Sequence, residues 1–214
     1  MVNNTGQVGN IPACLYDILY NYNYFSISEI SMTNEYSDEE LLNSIKDGDK
    51  SAFNEILNRH TNRFYRIAYR VLSDRDDAED VVQEAFLKLW NSPGIWKSGY
   101  GAKFSTWFYK IVINLCLDIK RRKSRSTTEI DKMQLISNED TPSESADKRE
   151  RQLILNSYIN ELPERQQTAL NLCFYEGISN KEAAEIMGIN LKALESLLMR
   201  AKAALRYKFS KRGA

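Results

Sequence analysis

The chain has 214 residues, 43% of them apolar and 27% charged, with a formal net charge of zero. This is the composition of one ordinary globular domain or two small ones; no apolar run approaches the ~20 residues needed to span a bilayer, so no membrane insertion and a cytoplasmic location are expected. Cys14, Cys116 and Cys173 lie far apart with no CxxC pair, and His60 is the single histidine. No disulfide framework, metal site or cofactor is therefore expected, and for want of an assembled nucleophile and base an enzyme is the least expected class.

Residues 1–36 read as a poorly ordered leader, dominated by Asn, Tyr, Ser and Gly. A basic n-region and an A-x-A-like cleavage site are missing, so it does not read as a signal peptide. Two readings of it stand. Met32 is the true start and the leader reflects the choice of an upstream codon, or Leu15, Tyr16, Ile18, Leu19, Tyr20, Tyr22, Tyr24 and Phe25 form a short helix that docks elsewhere.

Ser37 and Glu40 have capping-box spacing and predict a short helix over Asp38–Lys46. A long amphipathic helix follows over Ser51–Leu72, with Phe53, Ile56, Leu57, His60, Phe64, Ile67, Ala68 and Val71 as its periodic stripe, which makes His60 a core or boundary residue. The next helix, Asp76–Trp90, has two usable faces. Ala78, Val81, Val82, Ala85, Phe86 and Leu89 form a buried stripe, while Asp80, Gln83, Glu84 and Leu87 repeat the same spacing on another face. That second face is either a solvated surface with one stray leucine or a surface prepared for a partner with basic and apolar groups.

The loop NSPGIWKSGYGAK lacks the GxxxxGK[ST] of a phosphate-binding loop, so nucleotide binding is not expected. It leads into a helix from about Ser105 to Arg122 with Phe108, Ile111, Leu115 and Ile119 as its core stripe. Trp96, Tyr100, Phe104, Trp107, Phe108 and Tyr109 gather around this loop and helix, and the basic run Lys120–Lys123 completes it. Aromatics either bury as core or give unpaired bases a stacking platform worth roughly 1–3 kcal/mol each, beside cations that hold the phosphate backbone. Six aromatics exceed what one short helical face buries, which favours single-strand contact.

The zero net charge hides sorted charges. Lys110, Lys120, Arg121, Arg122, Lys123 and Arg125 stand against Asp118 alone, and Arg200, Lys202, Arg206, Lys208, Lys211 and Arg212 against no acid. Between them, Glu129, Asp131, Glu139, Asp140, Glu144 and Asp147 outnumber Lys132 in a Ser/Thr-rich stretch containing Pro142, so residues 126–147 read as a flexible acidic linker. Beyond it, Leu162 and Pro163 open a helix. In SNKEAAEIMGINLKALESLLMRAKAALRYKF, Ala184, Gly188 and Leu194 have the spacing of a helix-turn-helix: a small residue between helices, a turn residue tolerant of positive φ and an apolar anchor, extended by Leu197 or Leu198. Asn190, Lys192, Ala193, Glu195, Ser196 and Met199 then face a major groove, with Arg200 and Lys202 towards phosphates. An ordinary helical hairpin is the plainer alternative. Strand signals are nearly absent, so the fold class is all-α: a helical bundle over 37–125, the linker over 126–147 and a helix-turn-helix domain over 148–212.

In this order the pieces resemble the sigma-70 family of bacterial RNA polymerase sigma factors, in its two-domain, extracytoplasmic-function branch. DAEDVVQEAFLKLW is similar to region 2.2, KFSTWFYKIVINLCLDIKRRK to regions 2.3 and 2.4, and LPERQQTALNLCFYEGISNKEAAEIMG to region 4, the match running from Ser37 to about Phe209. The resemblance implies a subunit that lends promoter specificity to polymerase core and performs no covalent chemistry. By it, Asp76, Asp77, Asp80, Gln83, Glu84, Leu87 and Trp90 meet the beta-prime clamp. Trp96, Lys97, Tyr100, Lys103, Trp107, Lys110, Asn114, Lys120, Arg121 and Arg122 capture and hold the melted minus-10 strand. The second domain meets the beta flap and reads the minus-35 element through Asn190, Lys192, Ala193, Glu195, Ser196, Met199, Arg200 and Lys202, and an anti-sigma factor is a further expected partner. One departure stands out: many relatives carry Lys and Arg where this chain has Glu195 and Leu197. Glu195 either accepts a hydrogen bond from a cytosine N4 or repels DNA. Two other classes remain beside this one: a helix-turn-helix regulator acting without polymerase on palindromic sites, and a protein-binding helical adaptor.

Overall fold

The computed structural model describes residues 36–94, 96, 103–126 and 146–212, and all regular structure among them is helical. The readings placed on residues 1–35, on Lys97 and Tyr100 and on residues 127–145 lie outside the described residues.

Helix α1 (Asp38–Lys46) begins with the capping box its sequence announces: Glu40 N–H donates to Ser37 Oγ at 3.3 Å, and Ser37 N–H to the Glu40 carboxylate at 2.7 Å. Helix α2 (Lys50–Leu72) buries Phe53, Ile56, Leu57, Phe64, Ile67, Ala68 and Val71. It stops at Ser73, whose φ of 57° is left-handed, and Asp74 at once caps α3 (Arg75–Asn91) by accepting from Asp77 N–H at 3.0 Å. The α3 stripe from Ala78 to Leu89 is buried as its spacing requires.

Helix α4 spans Phe104–Ser126. Its core face lies around Phe108, Val112, Leu115 and Cys116, with Tyr109 and Ile113 also buried, while Ile111 and Ile119 are half-buried. The expected stripe through Ile111 and Ile119 is corrected accordingly: the helix carries adjacent apolar lines, and spacing within one helix does not say which of them its neighbours cover. Phe64 of α2, Phe86 of α3 and Phe108 of α4 form the centre of this unit, with ring centroids 4.5 Å apart for Phe64–Phe108 and 4.7 Å for Phe86–Phe108. Such tilted and edge-on pairs add about 0.5–1.5 kcal/mol each beyond the area they bury.

In the C-terminal part, α5 (Ala146–Asn160) is followed by Pro163, which precedes α6 (Glu164–Leu170). A π-helical turn, Asn171–Tyr175, continues α6; Gly177 at φ 65° then ends it, and Ser179 caps α7 (Asn180–Ile186) with a second capping box to Glu182. Gly188 at φ 62° makes the turn into α8 (Leu191–Arg212), a conformation that favours glycine. Ala183, Ala184, Ile186, Leu194, Leu198 and Ala201 bury where α7 and α8 meet, and α6 also packs on α8. Of the two candidate anchors, Leu198 is buried and Leu197 half-buried.

The chain divides into two compact units. Among the described residues, those up to Tyr69 and from Asp74 to Cys116 form one, and Arg70–Ser73 with those from Leu117 onward group in the other. The division falls inside α4, which runs unbroken to Ser126.

Candidate nucleic-acid and partner interfaces

Three surfaces carry the candidate residues. On α3, full burial of one stripe forces the other outward. Asp76, Asp80 and Glu84 are exposed and Gln83 and Leu87 half-buried on that outward side, while Asp77 is half-buried at its border with Oδ2 turned away from solvent. Asp76 and Asp77 sit in the first turn, where the helix dipole favours negative charge. Glu84 pairs with Lys88 at 2.8 Å, one turn on, which partly neutralises the stripe. Trp90 is held from within: its ring lies 4.9 Å from Phe53 of α2, leaving it half-buried at the end of the stripe.

On α4 the aromatic group separates into core and surface. Trp96 is 2% exposed, its ring edge-on to Phe104 at 6.3 Å, so it serves as core and its expected role as a stacking platform is corrected. Phe104, Phe108 and Tyr109 are buried as well. Tyr109 packs against Phe64 at 5.0 Å and its hydroxyl accepts from Arg63 Nε at 2.5 Å, which satisfies a polar atom that burial would otherwise strand. Among the described aromatics of this group, Trp107 alone keeps an open side: it rests on Phe104 and Phe108, with centroids at 6.0 and 6.1 Å, and is half-buried. Lys103, Lys110 and Asn114 are exposed and in helical register with Trp107, Lys103 one turn before it at the start of α4 and the other two after it, giving one outward stripe of cation, ring, cation and amide. Arg121 and Arg122 are exposed further along, Arg121 pairing with Asp118 at 3.2 Å, and Lys120 is half-buried.

On α8, Asn190 caps the helix by accepting from Ala193 N–H at 2.8 Å, so its carboxamide oxygen has a structural duty. Lys192, Glu195, Met199, Arg200 and Lys202 are exposed and Ala193 and Ser196 half-buried. Arg200 donates to Ser196 Oγ from Nη2 at 2.8 Å and from Nε at 3.3 Å. Lys202 lies over the ring of Phe174 at 4.7 Å. An open groove is lined by Asn180, Glu195, Leu198, Met199, Lys202 and Arg206. Asn180 escaped sequence reasoning, and Arg206 was counted in the basic cluster but not placed on this face, although it follows Glu195, Met199 and Lys202 in register. Phe174, 56% exposed in the π-helical turn, had no periodic signal to announce it.

His60 stands apart from all three surfaces. Its Nε2 meets Asp38 Oδ2 at 2.8 Å and its ring lies between Phe64 and Phe104, as a boundary residue that ties α1 to the bundle. Hydrogen bonding from His60, aided by Arg59, holds the Asp38 carboxyl below its ordinary value against the opposing effect of burial.

Comparison with known proteins matches two family descriptions to the chain: Sigma-70 region 2 over residues 56–126, and Sigma-70, region 4, over residues 152–205. The ECF RNA polymerase sigma factor SigM of Mycobacterium tuberculosis (strain ATCC 25618 / H37Rv) is 30% identical over 172 residues, covering 80% of this chain and 84% of its own. SigE of Mycolicibacterium smegmatis is 30% identical over 180 residues, 80% of this chain and 69% of its own. SigW of Bacillus subtilis is 29% identical over 175 residues, 77% of this chain and 92% of its own. Among solved structures, CnrH in complex with the cytosolic domain of CnrY aligns with a TM-score of 0.60 at 22% identity, covering 81% of this chain and 97% of that one. The sigma factor RpoE in complex with the anti-sigma factor NepR, from Bartonella quintana, aligns at 0.62 and 20% identity, covering 74% and 96%. At these identities the structural likeness shows the fold.

Proposed function

From the premise that this chain belongs to the extracytoplasmic-function branch of the sigma-70 family, and so acts in promoter-specific transcription initiation without being an enzyme, we propose how its surfaces divide that work. Residues 37–125 act as the core-binding and minus-10 domain, 126–147 as the linker, and 148–212 as the minus-35 domain. The outward stripe of α3, with Asp76, Asp77, Asp80, Gln83, Glu84, Leu87 and Trp90, docks on the beta-prime clamp of polymerase core. The outward stripe of α4, with Lys103, Trp107, Lys110 and Asn114, holds the melted minus-10 strand: the Trp107 ring stacks on a base while Lys120, Arg121 and Arg122 meet phosphates. Helix α8 enters the minus-35 major groove with Asn190, Lys192, Ala193, Glu195, Ser196, Met199, Arg200 and Lys202, and its unit meets the beta flap.

The observation that carries this reading is the open α3 stripe. A fully buried face opposite a face that mixes carboxylates, an amide and Leu87 suits a helix meant to be covered twice, once by its own core and once by a partner. An anti-sigma factor is the third proposed partner, as the Bartonella RpoE was solved in complex with the anti-sigma factor NepR. Binding polymerase core would place the protein in the cytoplasm; among the described residues no helix is long and apolar enough to cross a membrane.

The test is titration of the fluorescently labelled chain with sigma-free polymerase core at near-physiological salt. Saturable one-to-one binding that Leu87→Asp removes while helical content stays is the expected result. Wild-type-like affinity of Leu87→Asp would refute the α3 assignment.

A further inference from the structure

The hydrogen bonds on α8 go beyond a roll of groove-facing residues. Burial of Leu194, Leu198 and Ala201 fixes the rotation of the helix, so Glu195, Ser196, Met199 and Arg200 face outward. Arg200 lies about 14 Å along α8 from its first residue, at the 1.5 Å rise of an α-helix. Left to itself, so long a side chain samples many rotamers. Ser196 Oγ takes hydrogen bonds from both Nε and Nη2 of Arg200, and this draws the guanidinium back one turn, to the level of Glu195. The Nε side of the guanidinium is then occupied and its Nη1–Nη2 edge remains for a bidentate acceptor. In a major groove that acceptor is guanine O6 and N7.

Beside it, Glu195 presents an acceptor-only carboxylate, and cytosine N4 is the donor that such a group reads. The repulsion between Glu195 and phosphates is offset within the same groove by Lys202 and Arg206. We infer that Ser196 is a positioning residue, and that with Arg200 and Glu195 it forms one reading unit selecting a guanine and a neighbouring cytosine. This inference rests on the minus-35 role proposed for α8. It resolves the two readings of Glu195 in favour of base contact.

The test uses holoenzyme reconstituted from the full chain and polymerase core, presented with a promoter library randomised upstream and downstream, with the bound sequences read out. Wild type is expected to enrich guanine at one upstream position and cytosine beside it. Ser196→Ala should lower the guanine enrichment about tenfold, the size of a lost well-placed base contact, and Arg200→Ala should lower it at the same position. Ser196→Thr, which keeps the hydroxyl, should retain it. Glu195→Gln should shift the cytosine preference towards adenine. Unchanged guanine enrichment in Ser196→Ala, or equal loss in Ser196→Thr, overturns the positioning role while leaving the minus-35 role standing. Downstream selection by wild type with no upstream preference overturns both.

Discussion

Trp107 shows how much one ring's surroundings decide. One side rests on Phe104 and Phe108, and the other is open to the stacking proposed for it. Trp107→Ala is expected to impair opening of a duplex promoter more than use of a pre-melted bubble, in transcription assays with the two templates side by side. Equal defects would assign the ring to packing. Asp38 makes a second residue-scale case. Its carboxyl is held below the ordinary value by His60, so the unfolded chain binds its proton more readily than the folded one does. The contribution of Asp38 is therefore present in full above the ordinary carboxylate pKa and is lost as pH falls through the lowered one. Asp38→Asn should be less stable than wild type at neutral pH, and the difference should shrink below about pH 4 in acid-melting curves.

Among the elements, α3 has one face buried in its own core and another that is proposed to meet polymerase core. Asp80 is exposed and carries no part of the buried stripe, so Asp80→Arg should leave the circular dichroism spectrum unchanged while reducing affinity for polymerase core by at least about tenfold, the scale of reversing a charge at a specific interface. The join between α2 and α3 offers a stability test independent of function. Ser73 adopts φ 57° at the end of α2, where glycine bears no side-chain penalty. Ser73→Gly should raise the stability read by urea unfolding by about 0.5–1 kcal/mol, less the extra entropy glycine has in the unfolded chain. The boundaries of α1 to α4 were legible to within a few residues because capping boxes, Asp74 and the apolar periods act locally. The π-helical turn after α6 was not, since Asn171–Tyr175 has no sequence mark that separates it from an α-helical continuation.

For the whole molecule, the zero net charge describes no single surface: cations gather on α4 and α8, and carboxylates on α3. The N-terminal bundle depends on the Phe64, Phe86 and Phe108 cluster. Phe108→Ala should destabilise it by about 3–5 kcal/mol, and amide exchange should show protection lost across α1 to α3 and retained in α6 to α8. Loss spread evenly over both units would refute a core confined to the first. From the sequence alone came the all-helical class, helices α1 to α4 and the helix-turn-helix, because each rests on local propensity, capping and period, while the family resemblance came from the three motifs in their order and α5 (Ala146–Asn160) carried no expectation of its own. Tertiary packing decided what those local signals leave open. Trp96 and Trp107 look alike in sequence, yet one is core and one is surface, because burial depends on which elements close over a ring and not on the ring itself. For the same reason adjacent apolar lines on α4 could be ranked only once α2 and α3 were in place, and the hold of Ser196 on Arg200 could be read only from side chains set in space.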